Sequence, residues 1–383
     1  MPLSKKHFPW YLGGFFLFGR LVFLTVQSET ATWPFYQLAE MGWPYLDLWV
    51  EYPPIFPFLS KILFYLAGGT EHAFGYMVGI TLALVHGLGI SLFALVSREV
   101  HAQYEDRELW WVYLAFALIL SAGGMSFDVL ALTLMLLGIY WALAGKDLAA
   151  GVTIGIGMLS KWFPVFALVG FFAGLPKRRA LTITLVAFAL VGATLGVLYA
   201  ASPEMTVASL KSQLTKGSWE TVWALLDGNY QTGNFGGPLS ERLDPSSAGK
   251  LARKPAVVPG WMTLVAFGAV GLWELSKVKT DSRNAVSMLG LTWCLFGLWT
   301  PGWTPAWVVY IVPFVLLALP RKKALLFTAT LTLISLLEWP VLLTRGRFDL
   351  LPIPVIARTA LLALLAIEFA RNSLRKSGRY PLR

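Results

Sequence analysis

The chain has 383 residues, of which 56% are hydrophobic and 14% charged, and it carries a formal charge of +10. A water-soluble domain is about a quarter charged, so this composition excludes an ordinary soluble enzyme and calls for lipid as solvent. Its lone cysteine, Cys294, excludes internal disulfides and a cysteine-built metal site.

Apolar runs recur from end to end, and they are continuous rather than alternating. Helices satisfy the backbone in lipid where such runs cannot be barrel strands. In chain order the spacing predicts twelve spans, about 8–27, 73–96, 109–122, 127–144, 148–160, 162–175, 180–201, 258–275, 285–300, 303–319, 324–343 and 351–370. Some are shorter than the ~20 residues of a perpendicular span. The first follows Lys5 and Lys6 with no small-residue cleavage site after it, so it is expected to be retained. Basic clusters then fall on alternate connections: Arg98 and Arg107, Lys146, Lys177 to Arg179, Lys277 to Arg283, Arg321 to Lys323, and the tail from Arg371. The positive-inside rule places these connections and both termini in the cytoplasm of a cell membrane. The net charge is largely this asymmetry and gives no reason to expect nucleic acid.

Residues 54–67 are apolar but short, hold Pro54 and Pro57, and carry Lys61; as a span they would invert every later loop. They are expected to lie in the outer interface. The whole chain, 1–383, thus reads as a single all-α transmembrane domain with two long outer loops, 28–72 and 202–257.

Both outer loops are rich in aromatics and acids. The first holds Glu29, Glu40, Asp47 and Glu51, with Asp47 and Glu51 spaced to share a helical face; a solvated interfacial loop with an aromatic belt explains the pattern as well. The second holds Trp219, Glu220, Trp223 and Tyr230 among Gly228, Gly233, Gly236 and Gly237, suited to a sugar-stacking wall, although a surface helix over 218–227 accounts for its first half. Asp128 starts the fourth span and Lys161 interrupts LSKWFP, both on the outer side. Ionisable groups at that depth point to function, with a structural Asp–Lys pair as the rival. Arg20 and Arg358 lie inside spans and are expected to pair with acids such as Glu338. Arg345 and Arg347, in the last outer turn, are available to an anionic headgroup. The four histidines (7, 72, 86, 101) lack ligand spacing, so no metal site is expected, and neither a phosphate-binding loop nor a dinucleotide fingerprint is present.

These residues carry a resemblance. Tyr36-x-x-Ala39, then Gly42-x-Pro44-Tyr45-x-Asp47-x-x-x-Glu51-Tyr52-Pro53-Pro54, Phe127-Asp128, Gly155-x-Gly157 and Lys161-x-x-Pro164, with WETVWALLDGNYQTG (219–233) and WTPGWTPAW (299–307), resemble the GT-C polyprenol-phosphate-sugar glycosyltransferases, within them the bacterial and archaeal mannosyltransferase-like branch. The resemblance implies a multi-span fold with juxtamembrane helices and a catalytic carboxylate in the first outer loop. That family commonly places an aspartate just before Tyr-x-x-Ala; Trp33, Pro34 and Phe35 stand there instead, and Glu29 is the nearest acid upstream. The candidate catalytic acids are therefore Glu29, Asp47 and Glu51, with Glu29 or Asp47 expected as the base and Glu51 expected to position the loop at the EYPP turn. Asp128, Lys161, Trp219, Glu220, Tyr230, Arg345 and Arg347 are the candidate substrate-binding residues. The implied reaction is inverting transfer of a sugar, expected to be mannose, from a polyprenyl-phosphate donor to a lipid-linked, glycan or protein acceptor at the extracytoplasmic face, with no required cofactor. A lipid-linked-saccharide flippase and a non-catalytic assembly partner are the alternatives; inverted repeats with charges near the bilayer centre would mark a transporter.

Overall fold

In a computed structural model the described residues are 7–26, 33–100, 107–122, 126–231, 238–249 and 254–374. They form sixteen α-helices: α1 (Phe8–Val26), α2 (Trp33–Met41), α3 (Ile55–Leu66), α4 (Glu71–Val100), α5 (Arg107–Ala122), α6 (Asp128–Leu143), α7 (Asp147–Ser160), α8 (Phe166–Gly174), α9 (Lys177–Ala201), α10 (Pro203–Leu214), α11 (Val222–Asp227), α12 (Gly260–Lys277), α13 (Ser282–Trp299), α14 (Val308–Ala318), α15 (Arg321–Leu336) and α16 (Pro352–Ser373). Among the described residues there is no extended sheet, only two isolated bridges, Pro44 with Leu48 and Trp219 with Gly302. The twelve apolar runs all fall on helices. Five helices, Phe8–Thr25, Glu71–Val100, Lys177–Ala201, Arg321–Arg345 and Phe348–Ser373, are long and apolar enough to cross a membrane by length and composition.

Small residues bring the helices together, as expected where lipid supplies no hydrophobic drive between them. A Cβ built on Gly13 of α1 would lie 2.3 Å from the Gly87 carbonyl oxygen of α4, so these backbones touch. On the other side of the bundle a Cβ on Gly290 of α13 would lie 2.3 Å from the Phe369 ring of α16. Polar pairs add specificity: Arg179 in the first turn of α9 holds Asp147 at the start of α7 at 2.7 Å, and Arg358 on α16 pairs with Glu338 just past α15, both fully buried. Arg20 differs from expectation. Its guanidinium donates to the carbonyl of Ser121 at 2.7 Å and sits 4.8 Å from the Phe23 ring, satisfying the open carbonyl end of α5 rather than an acid.

The segment expected to form the first outer loop contains helices α2 and α3 on either side of an irregular turn. Asp47 and Glu51 share no helical face, because residues 43–48 close a tight turn: Tyr45 N–H donates to Leu48 O at 2.8 Å, with Tyr45 at φ 66°. The next residues are fastened to the second loop. Trp49 Nε1 donates to the carbonyls of Glu241 and Asp244 and to Ser247 Oγ, at 3.2, 3.0 and 2.9 Å, and Val50 N–H donates to Ser209 Oγ at 3.0 Å. In that second loop the expected helix over 218–227 is shorter, α11. Thr221 caps its start by accepting the Ala224 N–H, and Gly228 at φ 75° ends it.

Candidate active site

The ends of α5, α6, α7, α10, α13, α14 and α15 converge beneath these two loops around a cavity of about 840 Å³. Three carboxylates line it: Glu51, Asp128 and Glu220. Each is presented by a different local device.

Glu51 lies where Trp49 and Val50 tie the loops together. Lys216 Nζ and Arg242 Nη2 each approach it to 3.4 Å, one per carboxylate oxygen. Arg242 lies 4.0 Å from the Trp49 ring and Lys216 5.3 Å from that of Tyr52. Burial pushes the Glu51 carboxyl up, but Lys216 and Arg242 outweigh it and hold it below the ordinary carboxylate range. Burial, then the Glu51 charge, push the neighbouring Tyr52 phenol well up, so it stays a neutral group.

Asp128 is the first residue of α6, where a negative charge meets the helix N-terminus favourably. Lys161 Nζ sits 2.5 Å from its Oδ1. Ser126 Oγ donates to its Oδ2 at 2.5 Å, and the Tyr310 hydroxyl contacts Oδ1 and the Asp128 carbonyl, both at 3.0 Å. The Lys161 ammonium also faces the rings of Phe127, Phe163 and Trp307, at 4.6, 5.4 and 5.5 Å. The functional and structural readings of this pair thus coincide in one geometry: an ion pair that forms part of the cavity wall.

The third wall joins the WET segment to the WTPGWTPAW turn. Trp219 N–H donates to Pro301 O, and Trp303 N–H to Trp219 O, both at 3.1 Å. Gly302 is required there, since a Cβ on it would lie 2.1 Å from the Trp219 ring. Trp219 and Trp307 both line the cavity, their ring centroids 6.4 Å apart.

Several sequence candidates lie elsewhere. Asp47 is exposed and accepts the Trp43 N–H at 2.7 Å, closing its turn away from the cavity. Tyr230 is half-exposed and is not among the lining residues. Arg345 is spent on its own helical turn, donating to Val341 O at 2.9 Å, and Arg347 makes a two-pronged pair with Asp349 at 2.9 and 2.8 Å. Neither reaches the cavity. Glu29, Gly233, Gly236 and Gly237 lie outside the described residues. Lys216, Arg242 and Tyr310 were not singled out from sequence. Lys216 stands immediately before GSWET, but a lone lysine in a polar loop gives no signal of its own. Among the described residues no group of three or more His, Cys, Asp or Glu side chains is arranged to hold a metal ion.

The described residues form a helical bundle with membrane-length apolar helices and a cavity walled by aromatics, carboxylates and lysines. The sequence names the family: residues 49–301 match the family model of glycosyltransferase family 87, and the chain belongs to that family. Among solved structures it is similar to the Archaeoglobus fulgidus oligosaccharyltransferase. Identity is 13% with a TM-score of 0.43 for the apo form. For the form tethered with an acceptor peptide containing the NVT sequon the values are 14% and 0.42. Each likeness covers 99% of this chain and 57% of the other, so the chain spans a little over half that enzyme's length. No curated protein matches it.

Proposed function

We propose that the protein transfers a sugar, mannose in the first instance, from a polyprenyl-phosphate donor to a lipid-linked, glycan or protein acceptor by inverting displacement. The observation that supports this most is the meeting of Glu51, Lys161 and Lys216 in the lining of one cavity. In the proposed step Glu51 takes the proton from the acceptor hydroxyl as its oxygen attacks the anomeric carbon. The bond from that carbon to the phosphate oxygen breaks on the opposite face. Polyprenyl phosphate leaves with the electron pair, and Lys161 and Lys216 stabilise its charge. A phosphate needs little protonation to depart, so one carboxylate suffices, unlike the paired acids of glycosidases. Asp128 orients Lys161, while Trp219 and Glu220 offer the sugar a ring face and hydrogen-bond acceptors. Arg345 and Arg347 take no part in this scheme. Purified protein given polyprenyl-phosphate-mannose and a lipid-linked acceptor should release polyprenyl phosphate and yield mannosylated acceptor. Release of neither, across donors carrying other hexoses, refutes the reading.

We place the site at the extracytoplasmic face of a twelve-span protein with both termini cytoplasmic, from the distribution of basic residues. Ser246 is the position that tests it. It is exposed in the second loop, whereas Ser212 in the same loop is 7% exposed and a poor reporter. Ser246→Cys should react with a membrane-impermeant thiol reagent in intact cells. Reaction only after lysis would invert the topology.

A further inference from the structure

Among the described residues, two that are not glycine have positive φ: Tyr45, in the turn before Glu51, and Glu220 at φ 51°. An L-residue adopts that backbone only where its surroundings impose it. For Glu220 the surroundings are visible. The residue before it exchanges two backbone hydrogen bonds with the 301–303 turn. The residue after it, Thr221, donates its hydroxyl to Pro301 O at 2.8 Å. The carbonyl of Glu220 itself accepts from Arg358 Nη2, and the other terminal nitrogen of Arg358 is held by Glu338. The Arg358 guanidinium carbon stands 4.7 Å from the Trp303 ring. Arg358 and Glu338 are 2% and 0% exposed, and neither lines the cavity, whereas Glu220 does.

An ion pair that only joined α16 to the end of α15 would be complete with Glu338. Here the guanidinium carries a second bond to the backbone of a residue 138 positions away, at the point where a carboxylate enters the cavity. A planar, permanently charged fork can hold two such partners in fixed relation, which a lysine ammonium cannot. We infer that Glu220 binds hydroxyls of the transferred sugar and that Arg358, anchored by Glu338, is the positioning residue that sets Glu220 for this contact. The inference rests on the sugar-transfer reading above and adds to it the residue that selects the sugar. An ionised carboxylate can only accept hydrogen bonds, and those it takes from ring hydroxyls depend on the configuration of the carbons that bear them. Glu220, with the Trp219 ring beside it, would therefore report the configuration at those carbons.

The test compares wild type, Glu220→Gln, Arg358→Lys, Glu338→Gln and the double variant Glu220→Gln/Arg358→Lys. The readouts are kcat and KM with two polyprenyl-phosphate donors whose hexoses are epimers, mannosyl and glucosyl. Arg358→Lys should lower kcat/KM for the preferred donor by about 10²-fold, the scale of a displacement of about 1 Å in a positioned group. It should also collapse the preference between epimers towards that of Glu220→Gln. The double variant should be no worse than Glu220→Gln, because both changes remove one contact. The epimer ratio does not depend on how much protein is folded, so a poorly accumulating Arg358→Lys still reports. Glu338→Gln should shift the ratio in the same direction. A wild-type ratio retained in Arg358→Lys, or losses that multiply in the double variant, overturns the inference while leaving transfer itself intact. A wild type that transfers from neither of these donors, nor from donors carrying other hexoses, overturns both.

Discussion

Glu51→Gln is expected to lower sugar transfer by about 10²–10⁴-fold, the usual cost of a lost general base, with the protein still folded and still binding donor. The amide keeps the shape of the side chain but removes its charge and its ability to take a proton, so Lys216 and Arg242 lose their carboxylate partner. Asp47→Asn is the contrast. Asp47 is exposed and committed to the Trp43 N–H, and an amide oxygen can accept that bond equally well, so little activity should be lost. Glu29→Gln completes the set of first-loop acids. If Glu51→Gln keeps near-normal turnover while Glu29→Gln does not, the base is Glu29. The pH dependence carries a sign that separates Glu51 from an unperturbed acid. Its folded-state carboxyl lies below the ordinary range because Lys216 and Arg242 outweigh burial, so it stays ionised until the pH falls beneath the usual glutamate value. The acidic limb of activity should lie there too, and Lys216→Gln should move that limb upward. The same depression means that the stability supplied by the cluster is present above the unfolded-state value and is lost as pH falls through the folded one.

Lys161→Met is expected to lower turnover by about 10²–10³-fold, as for the loss of one group that stabilises transition-state charge. The methionine refills the space between the Phe127, Phe163 and Trp307 rings. The change leaves Asp128 without its cation, and breaking a buried pair typically costs about 3–5 kcal/mol. Ser126 and Tyr310 still hydrogen-bond the carboxylate, so the protein should accumulate with a lowered unfolding temperature in detergent. Specific activity per folded molecule decides the matter. If it stays at the wild-type level while stability falls, the pair is structural and Lys161 has no part in charge stabilisation.

The helices were legible in the sequence because their signal is repeated: twelve apolar runs, each bounded by charge, proline or glycine, and all of them helical in the structure. Asp128 and Lys161 were legible for a related reason, as ionisable residues in an apolar context announce themselves at single positions. The loops gave way differently. Asp47 and Glu51 fit a helical spacing equally well, but the turn at Tyr45 sends one outward and the other into the cavity. That choice depends on Trp49 meeting residues 241–247, which no local pattern contains. Lys216 and Arg242 were missed because their meaning comes from Glu51 and not from their own neighbours. Arg345 and Arg347 have the sign an anionic headgroup needs, but Arg345 serves a helical carbonyl and Arg347 has an acid two residues away.

The Trp49 indole, with its three acceptors between 192 and 198 positions downstream, also orders events in time. Residues 43–54 emerge early in synthesis, yet nothing in their own neighbourhood provides the cations that flank Glu51. Those arrive with residue 216, after a further eight α-helices, and with residue 242, after a ninth. Closing so long a loop costs little more in entropy than closing a short one, about 0.6 kcal/mol for each doubling of length. The delay is therefore one of synthesis, not of free energy. A nascent chain stopped before residue 241 carries the acid of the cavity without the loop that clasps it. The clasp on Glu51 therefore closes only after more than half of the polypeptide has been built.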